Sequence, residues 1–376
     1  MGFGLFVPEF RSEFSMSTSA VGFVSSLGFF GFFIGLLVAQ AQLNRRGPEL
    51  PVLSGLTLAT LGLALVAMAP NLPVLAMGVF LATSSAGFAW TPFNDAVHRK
   101  VSDVDRPAAL SGISTGTGVG IALAGVAALA MVIGGISWRY CWAFFAVASA
   151  LALLGNWAAL RQVERDPGGK TRRGWRDLAQ AAAVPLFVIG FVYGTTSAIY
   201  ISFAADHMVA SGGVPGVPVG ATPALVYICY GLFGLAGLLT GRVKAMIGLP
   251  WLLRLLMLAG AVSLALAAMA PDGWAGLVTS AGLQGVHVMM TSAVLAFWSE
   301  RLFPALPALS FTAALLATAT GSVLGPAAAG VVSDAVGPAA MFLGASVLPA
   351  LTALCLRDRH ARERAVDSAP PDHAAV

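Results

Sequence analysis

Charge is scarce in this sequence. Its 21 Lys and Arg with 17 Asp and Glu make up 10% of 376 residues, where soluble proteins carry about a quarter. Water-soluble domains are thereby excluded, because the surfaces of the two or three that such a length would make need far more charge. Cysteine is nearly absent. Cys141, Cys229 and Cys355 lie about a hundred residues apart with no CxxC pair, so neither a disulfide framework nor a metal site is expected. No HExxH or GxxxxGK[ST] string occurs, which removes the zinc-protease and nucleotide-site signatures. No catalytic residue, metal or other cofactor is expected. The net charge of +4 has no aromatic-basic patch behind it, so a nucleic-acid partner is not expected either.

What is abundant is apolar: 57% of the residues, with mean hydropathy +0.83. A membrane-crossing helix needs about 20 such residues. Eleven stretches qualify, at about 19–41, 50–69, 72–93, 108–134, 138–160, 181–205, 222–241, 250–270, 273–298, 308–333 and 337–356. They lack the every-second-residue alternation of barrel strands, so the chain is expected to be an all-α membrane protein. The first 14 residues, MGFGLFVPEFRSEF, are apolar but too short to span. They lack the basic start and small-residue cleavage site of a signal peptide. They are expected to be the end of a truncated first helix, which brings the segments to 12.

Assigning the 21 basic residues to alternating sides of these spans puts 19 on one side and only Arg11 and Arg139 on the other. The positive-inside rule makes the rich side cytoplasmic. With 12 segments both termini are expected in the cytoplasm. The expected division is an N-terminal bundle over 1–160, a basic cytoplasmic linker over 161–180, a C-terminal bundle over 181–356 and a disordered tail over 357–376. Arg outnumbers Lys, Ala and Gly are abundant, and no eukaryotic targeting signal is present. That composition suits a multi-pass protein of a bacterial cytoplasmic (inner) membrane.

Two features suggest an internal repeat. The tetrapeptide AMAP occurs at Ala67–Pro70 and, 201 residues on, at Ala268–Pro271. At an offset of 205, Gly116, Gly120 and Gly125 match Gly321, Gly325 and Gly330. Small residues every four positions let helices approach closely, and duplicated halves are the architecture of many secondary transporters.

The loop after the second span reads Gly35, Leu36, then QAQLNRRGPEL, with Asn44, Arg45 and Gly47. It is similar to the G-x-L-A-D-R-x-G-R-R motif of the major facilitator superfamily, with Asn in place of Asp. Gly241, Arg242, Lys244 and Gly248 form a degenerate second copy. Gly135-Ile136-Ser137-Trp138-Arg139 is similar to the family's G-W-R turn, and Asp105-Arg106-Pro107-Ala108 to its E-R-x-x-A string. The chain thus resembles this superfamily over essentially its whole length. The segments GLFVPEFR and GFAWTPFNDAV resemble its YbfB/YjiJ-like bacterial group. The resemblance implies two pseudo-symmetric six-helix bundles around a cavity lined by the first, fourth, seventh and tenth helices. The family's antiporter signature in the fifth helix is broken, because Ile121 stands where Pro is usual; the Gly-Pro pair is instead Gly325-Pro326 in the eleventh.

The polar residues of those helices are therefore the candidates. In the tenth, Gln284, His287 and Thr291 fall at i, i+3 and i+7, one side of a helix. In the seventh, Tyr193, Thr196, Ser197 and Tyr200 share a side. Of these seven, all but Ser197 are the expected solute-binding set: Tyr193, Thr196, Tyr200, Gln284, His287 and Thr291. His287 is the expected proton-coupling group, since histidine titrates near neutral pH. Glu9, at the outer end of the first helix with Arg11 as its partner, is the rival. Asn94 and Asp95, with Arg45 and Arg106, are expected to gate the cytoplasmic mouth. Trp138, Trp142 and Trp274 are expected in the interfacial aromatic belt. The leading reading is a monomeric secondary transporter in the lipid bilayer that moves a small organic solute, with protons as coupling partner. A facilitated uniporter, or a sensor on the same fold, remains the alternative.

Overall fold

The computed structural model describes residues 2–102, 106–160 and 175–361. Of the expected linker at 161–180, residues 161–174 lie outside the described residues and Trp175–Leu178 is a short helical turn; of the tail expected to be disordered at 357–376, residues 362–376 lie outside them, whereas Asp358–His360 is a helical turn with Asp358 bonded to Arg254. Among the described residues thirteen α-helices follow in order: α1 Gly2–Leu5, α2 Val7–Phe14, α3 Thr18–Arg46, α4 Glu49–Ala67, α5 Leu72–Lys100, α6 Arg106–Ile133, α7 Trp138–Leu160, α8 Val184–Ala210, α9 Thr222–Gly234, α10 Thr240–Met269, α11 Trp274–Leu302, α12 Pro307–Val336 and α13 Pro338–Cys355. Among the described residues there is no strand. Backbone amides in lipid have no water to bond, so long apolar runs satisfy them internally as helices.

Helix limits follow local chemistry. The Ser17 hydroxyl accepts from the Ala20 N–H and Asn71 from the Val74 N–H, both at 3.1 Å, capping α3 and α5. Pro307 and Pro338 open α12 and α13, where their missing N–H is not needed. The apolar stretch Val219–Met269 is 51 residues long yet crosses twice. Gly248 sits at φ 78° between two helical pieces of α10, a left-handed conformation that glycine alone tolerates readily, and Pro250 follows. Counted this way the described residues hold eleven helical stretches long and apolar enough to cross, as the hydropathy predicted, plus the short α1 and α2. The last two cover 2–14 and, at about 1.5 Å per residue, do not cross the roughly 30 Å of hydrocarbon.

The packing repeats itself along the chain. In the first half α3 packs on α5, and α4 on α5 and α7; in the second half α9 packs on α11, and α10 on α11 and α13. Between the halves α3 packs on α12, and α9 on α6. Exchanging equivalent helices maps each contact onto its counterpart, which is the structural form of the repeat. Both AMAP copies fall at the C-terminal ends of equivalent helices, α4 and α10. On α7 the side chains of Phe144, Val147, Leu151 and Leu154 form an exposed apolar stripe at the spacing of one helix face, suited to lipid.

The glycine triplets part company. A Cβ on Gly321 would meet the Phe191 carbonyl oxygen at 2.1 Å, and one on Gly325 the Thr195 oxygen at 2.8 Å, so α12 runs hard against α8. In α6 only Gly125 is so placed, beside Ala224 and Ile228 of α9; Gly116 and Gly120 have nothing within 4 Å. The predicted stripe of close approach therefore holds for α12 and for one glycine of α6.

Candidate functional site

A cavity of about 150 Å³ lies where the halves meet. Phe29 and Phe32 of α3, Thr83 and Trp90 of α5, and Thr117 of α6 line it from the first half; Tyr193 and Ser197 of α8, Val288, Met289 and Ser292 of α11, and Thr318 and Ser322 of α12 line it from the second. Among the described residues no carboxylate, amine, guanidinium or imidazole belongs to its wall. Helix periodicity explains the α8 contribution, since Tyr193, Ser197 and Ile201 recur every four residues. Gly194 lets α12 close the wall, because a Cβ there would fall 1.9 Å from the Thr318 oxygen.

Cross-half contacts flank the cavity on both sides. Toward the Arg45 end, the Thr312 hydroxyl of α12 donates to Gln40 Oε1 of α3 at 2.7 Å and lies 3.0 Å from the Thr91 hydroxyl of α5. Toward the Arg11 end, Arg11 Nη1 of α2 bonds Asp206 Oδ2 of α8 at 2.5 Å, and Asp334 of α12 accepts from the Ser19 N–H of α3 at 3.0 Å. Below them Phe6 and Phe10 of α2 pack against Trp138 and Trp142. Arg139 pairs with Glu13, lies over the Trp138 ring and donates to the Ala67 carbonyl at 3.1 Å. Trp138 Nε1 donates to Glu13 at 2.7 Å. Trp138 and Trp142 are thus buried, not belt residues as predicted; Trp274 alone of the three is exposed, donating to the Pro215 carbonyl. Arg139 ties α7 to the ends of α2 and α4, so Arg139→Leu is expected to lower stability by about 1–3 kcal/mol, read as a lower melting temperature in detergent. An unchanged melting temperature would count against that role.

Of the predicted solute-binding residues, Tyr193 lines the cavity and its neighbour Ser197 does too. Thr196 is buried and donates to the Val192 carbonyl at 2.9 Å. Tyr200 accepts from the Ser280 hydroxyl at 3.1 Å and borders a separate small pocket with Tyr227 and Tyr230. Gln284, His287 and Thr291 are fully buried on the face of α11 next to the cavity face. His287 Nδ1 lies 2.7 Å from the Leu256 carbonyl oxygen of α10, and its ring packs over Gly260. Both amide atoms of Gln284, Nε2 of His287 and the Thr291 hydroxyl have no hydrogen-bond partner among the described residues. The polar stripe predicted on α11 exists, but it looks toward α10, behind the cavity wall. Tyr193 bridges the two layers, its ring 5.6 Å from that of His287 and edge-on to it.

The expected Glu9–Arg11 pairing is replaced. Arg11 reaches Asp206, and Glu9 Oε2 is buried with no partner among the described residues. Asn94 and Asp95 are half-buried near the C-terminal end of α5, and Arg45 is exposed near that of α3. Arg106 opens α6, and its side chain lies outside the described residues. Sequence reasoning missed Phe29, Phe32, Thr83, Thr117 and Ser292, residues of types that apolar helices carry everywhere. The string Gly112-Ile113-Ser114-Thr115-Gly116 has the GxSxG spelling of a hydrolase nucleophile turn, but it runs through the continuous helix α6. The hydrolase motif needs a strand-to-helix elbow, so the spelling carries no hydrolase chemistry here.

Eleven crossings in two equivalent halves, with a cavity between them, define a polytopic membrane protein of the transporter class. The sequence model of the Major Facilitator Superfamily matches residues 1–243. The chain belongs to that superfamily. No curated protein matches it in sequence. Among solved structures it is similar to the nucleoside transporter NupG, with TM-score 0.72, 14% identity and 94% of this chain covering 95% of that one. It is similar also to a bacterial homolog of the human lysosomal transporter Spinster in its inward-facing, unoccupied conformation (TM-score 0.72, 15% identity, 96% and 92% covered). A third likeness is to the E. coli fucose:proton symporter FucP (0.64, 16%, 94% and 93%). Identities this low speak for the fold alone.

Proposed function

We propose that the chain is a secondary active transporter that moves a small organic solute by alternating access, its two halves rocking about the central cavity. The observation that carries this is the cavity itself, walled by helices of both halves and flanked on each side by contacts between them. Breaking one flanking set while keeping the other exposes the cavity to one side at a time. The charge asymmetry supports the Arg45 end as cytoplasmic and the Arg11 end as outer, with lipid around the exposed stripes and a bacterial inner membrane as the location. The two bundles over 1–160 and 181–356 are the rocking units, and Asn94, Asp95, Arg45 and Arg106 stand at the inner mouth as gating residues. Uptake of candidate solutes into proteoliposomes, with and without a proton gradient, tests the proposal. A chain that binds solute yet never moves it would be a sensor and would overturn it.

Proton coupling through His287 belongs to the same proposal. Its Nδ1–H, held by the Leu256 carbonyl, leaves Nε2 as a bare base. Tyr193 stands between that base and the cavity, so a change in solute or hydration there is felt by the imidazole. His287→Gln is expected to abolish the pH dependence of uptake, because it removes the one titratable nitrogen of that proposed base, while Glu9→Gln keeps it. Gly260→Ala, which crowds the ring from 3.0 Å, is expected to alter the pH profile without touching the cavity wall. A wild-type profile in His287→Gln would rule the residue out.

A further inference from the structure

We infer that the cavity selects an uncharged solute built on a single flat ring that carries a hydrogen-bonding group, such as an amide or hydroxyl. The inference rests on the cavity being the solute site and adds the class of solute.

The cavity wall holds two kinds of hydroxyl. Ser197, Thr318 and Ser322 bond backbone carbonyls of Tyr193, Ala314 and Gly194. Thr83, Trp90, Thr117 and Ser292, by contrast, make no hydrogen bond among the described residues. Serine and threonine inside helices ordinarily bond a carbonyl one turn back, so three hydroxyls without that bond and one indole N–H are polar groups left over for a guest. They come from α5, α6 and α11, and therefore from both halves, so a guest bonded to them bridges the units that move.

The guest's charge follows from the wall. With no carboxylate, amine, guanidinium or imidazole lining it among the described residues, an ion entering sheds water and finds no counter-charge there, an unfavourable exchange of several kcal/mol in an apolar medium. Its size and shape follow from the volume and the rings. Apolar protein cavities of about 150 Å³ take a single benzene ring, and Phe29, Phe32, Trp90 and Tyr193 supply flat faces and edges for one.

Benzamide, benzoate and benzamidinium are nearly isosteric and differ in charge, so they separate this class from its neighbours. Each is titrated calorimetrically at pH 7 into the full chain in lipid nanodiscs, with empty nanodiscs as blank. Benzamide is expected to bind at least about tenfold tighter than either ion, and Ser292→Ala and Thr83→Val to weaken it several-fold each. Both variants are first checked for an unchanged melting temperature. Equal binding of the three, tighter binding of either ion, no binding of benzamide, or unchanged affinity in both variants would overturn the inference. Benzamide bound with this selectivity but not moved in proteoliposomes would support the inference and overturn the transport proposal instead.

Discussion

Gly321→Val is expected to remove most folded protein from the membrane, whereas Gly116→Val, its counterpart under the repeat, is expected to leave yield and melting temperature close to wild type. The cause is the partner each glycine faces. A Cβ at position 321 would fall 2.1 Å from the Phe191 carbonyl and 2.7 Å from the Thr195 hydroxyl, and the first of these is backbone of an adjacent helix that cannot turn aside. Overpacking a tight contact generally costs about 1–3 kcal/mol and sometimes more; here α12 also packs on α3 and α13, so relief by shifting α12 disturbs further interfaces. Gly116 has open space within 4 Å, and a β-branched side chain there adds only apolar surface. Melting curves from size-exclusion chromatography of both variants are the measurement. Equal loss in the two would mean that α6 and α12 are packed alike at these positions.

The same pair shows what a sequence can and cannot reveal. Spacing marked both triplets as small-residue stripes, because periodicity is a property of one helix. Which neighbour the stripe meets is a property of two, and nothing in α6 records that Gly116 meets none. The stripe of Gln284, His287 and Thr291 was legible for the same reason, and its direction was not. One residue along an α-helix turns the face by about 100°, so Val288 meets the cavity while His287 meets α10. Tyr193 was legible because a phenol inside an apolar span stands out. Ser292 and Thr83 were not, since helices absorb most such hydroxyls by bonding them to their own carbonyls. The reversal at Gly248 was readable because Gly241, Arg242, Lys244 and Gly248 separate the apolar stretches 222–241 and 250–270. Asp206 was passed over as the end of a helix; its partner Arg11 lies 195 residues away.

Asp206→Asn is expected to loosen the Arg11 end and to raise the exposure of the chain just behind it. The pair with Arg11 joins α2 to α8 and so holds one half to the other. Removing one member of a fully buried pair costs about 3–5 kcal/mol because the other charge is stranded. The side chains here are 33% and 13% exposed, so water screens the loss and a smaller effect follows. A shift near 1.4 kcal/mol would change the open population about tenfold. Ser25 is the reporter position, only 4% exposed and sharing a small pocket with Phe3, Gly4 and Phe29 between the ion pair and the cavity. With Cys141, Cys229 and Cys355 replaced, Ser25→Cys is labelled by a membrane-impermeant maleimide applied to each face of oriented vesicles. Labelling from the face at the Arg11 end is expected to quicken about tenfold in Asp206→Asn, and the exchange Arg11→Asp with Asp206→Arg to restore the slow rate, since the attraction survives reversal. A rate in Asp206→Asn equal to wild type, or an exchanged pair no slower than the single variant, would show that the aromatic packing of Phe6, Phe10 and Trp138 closes this end without help from the charges.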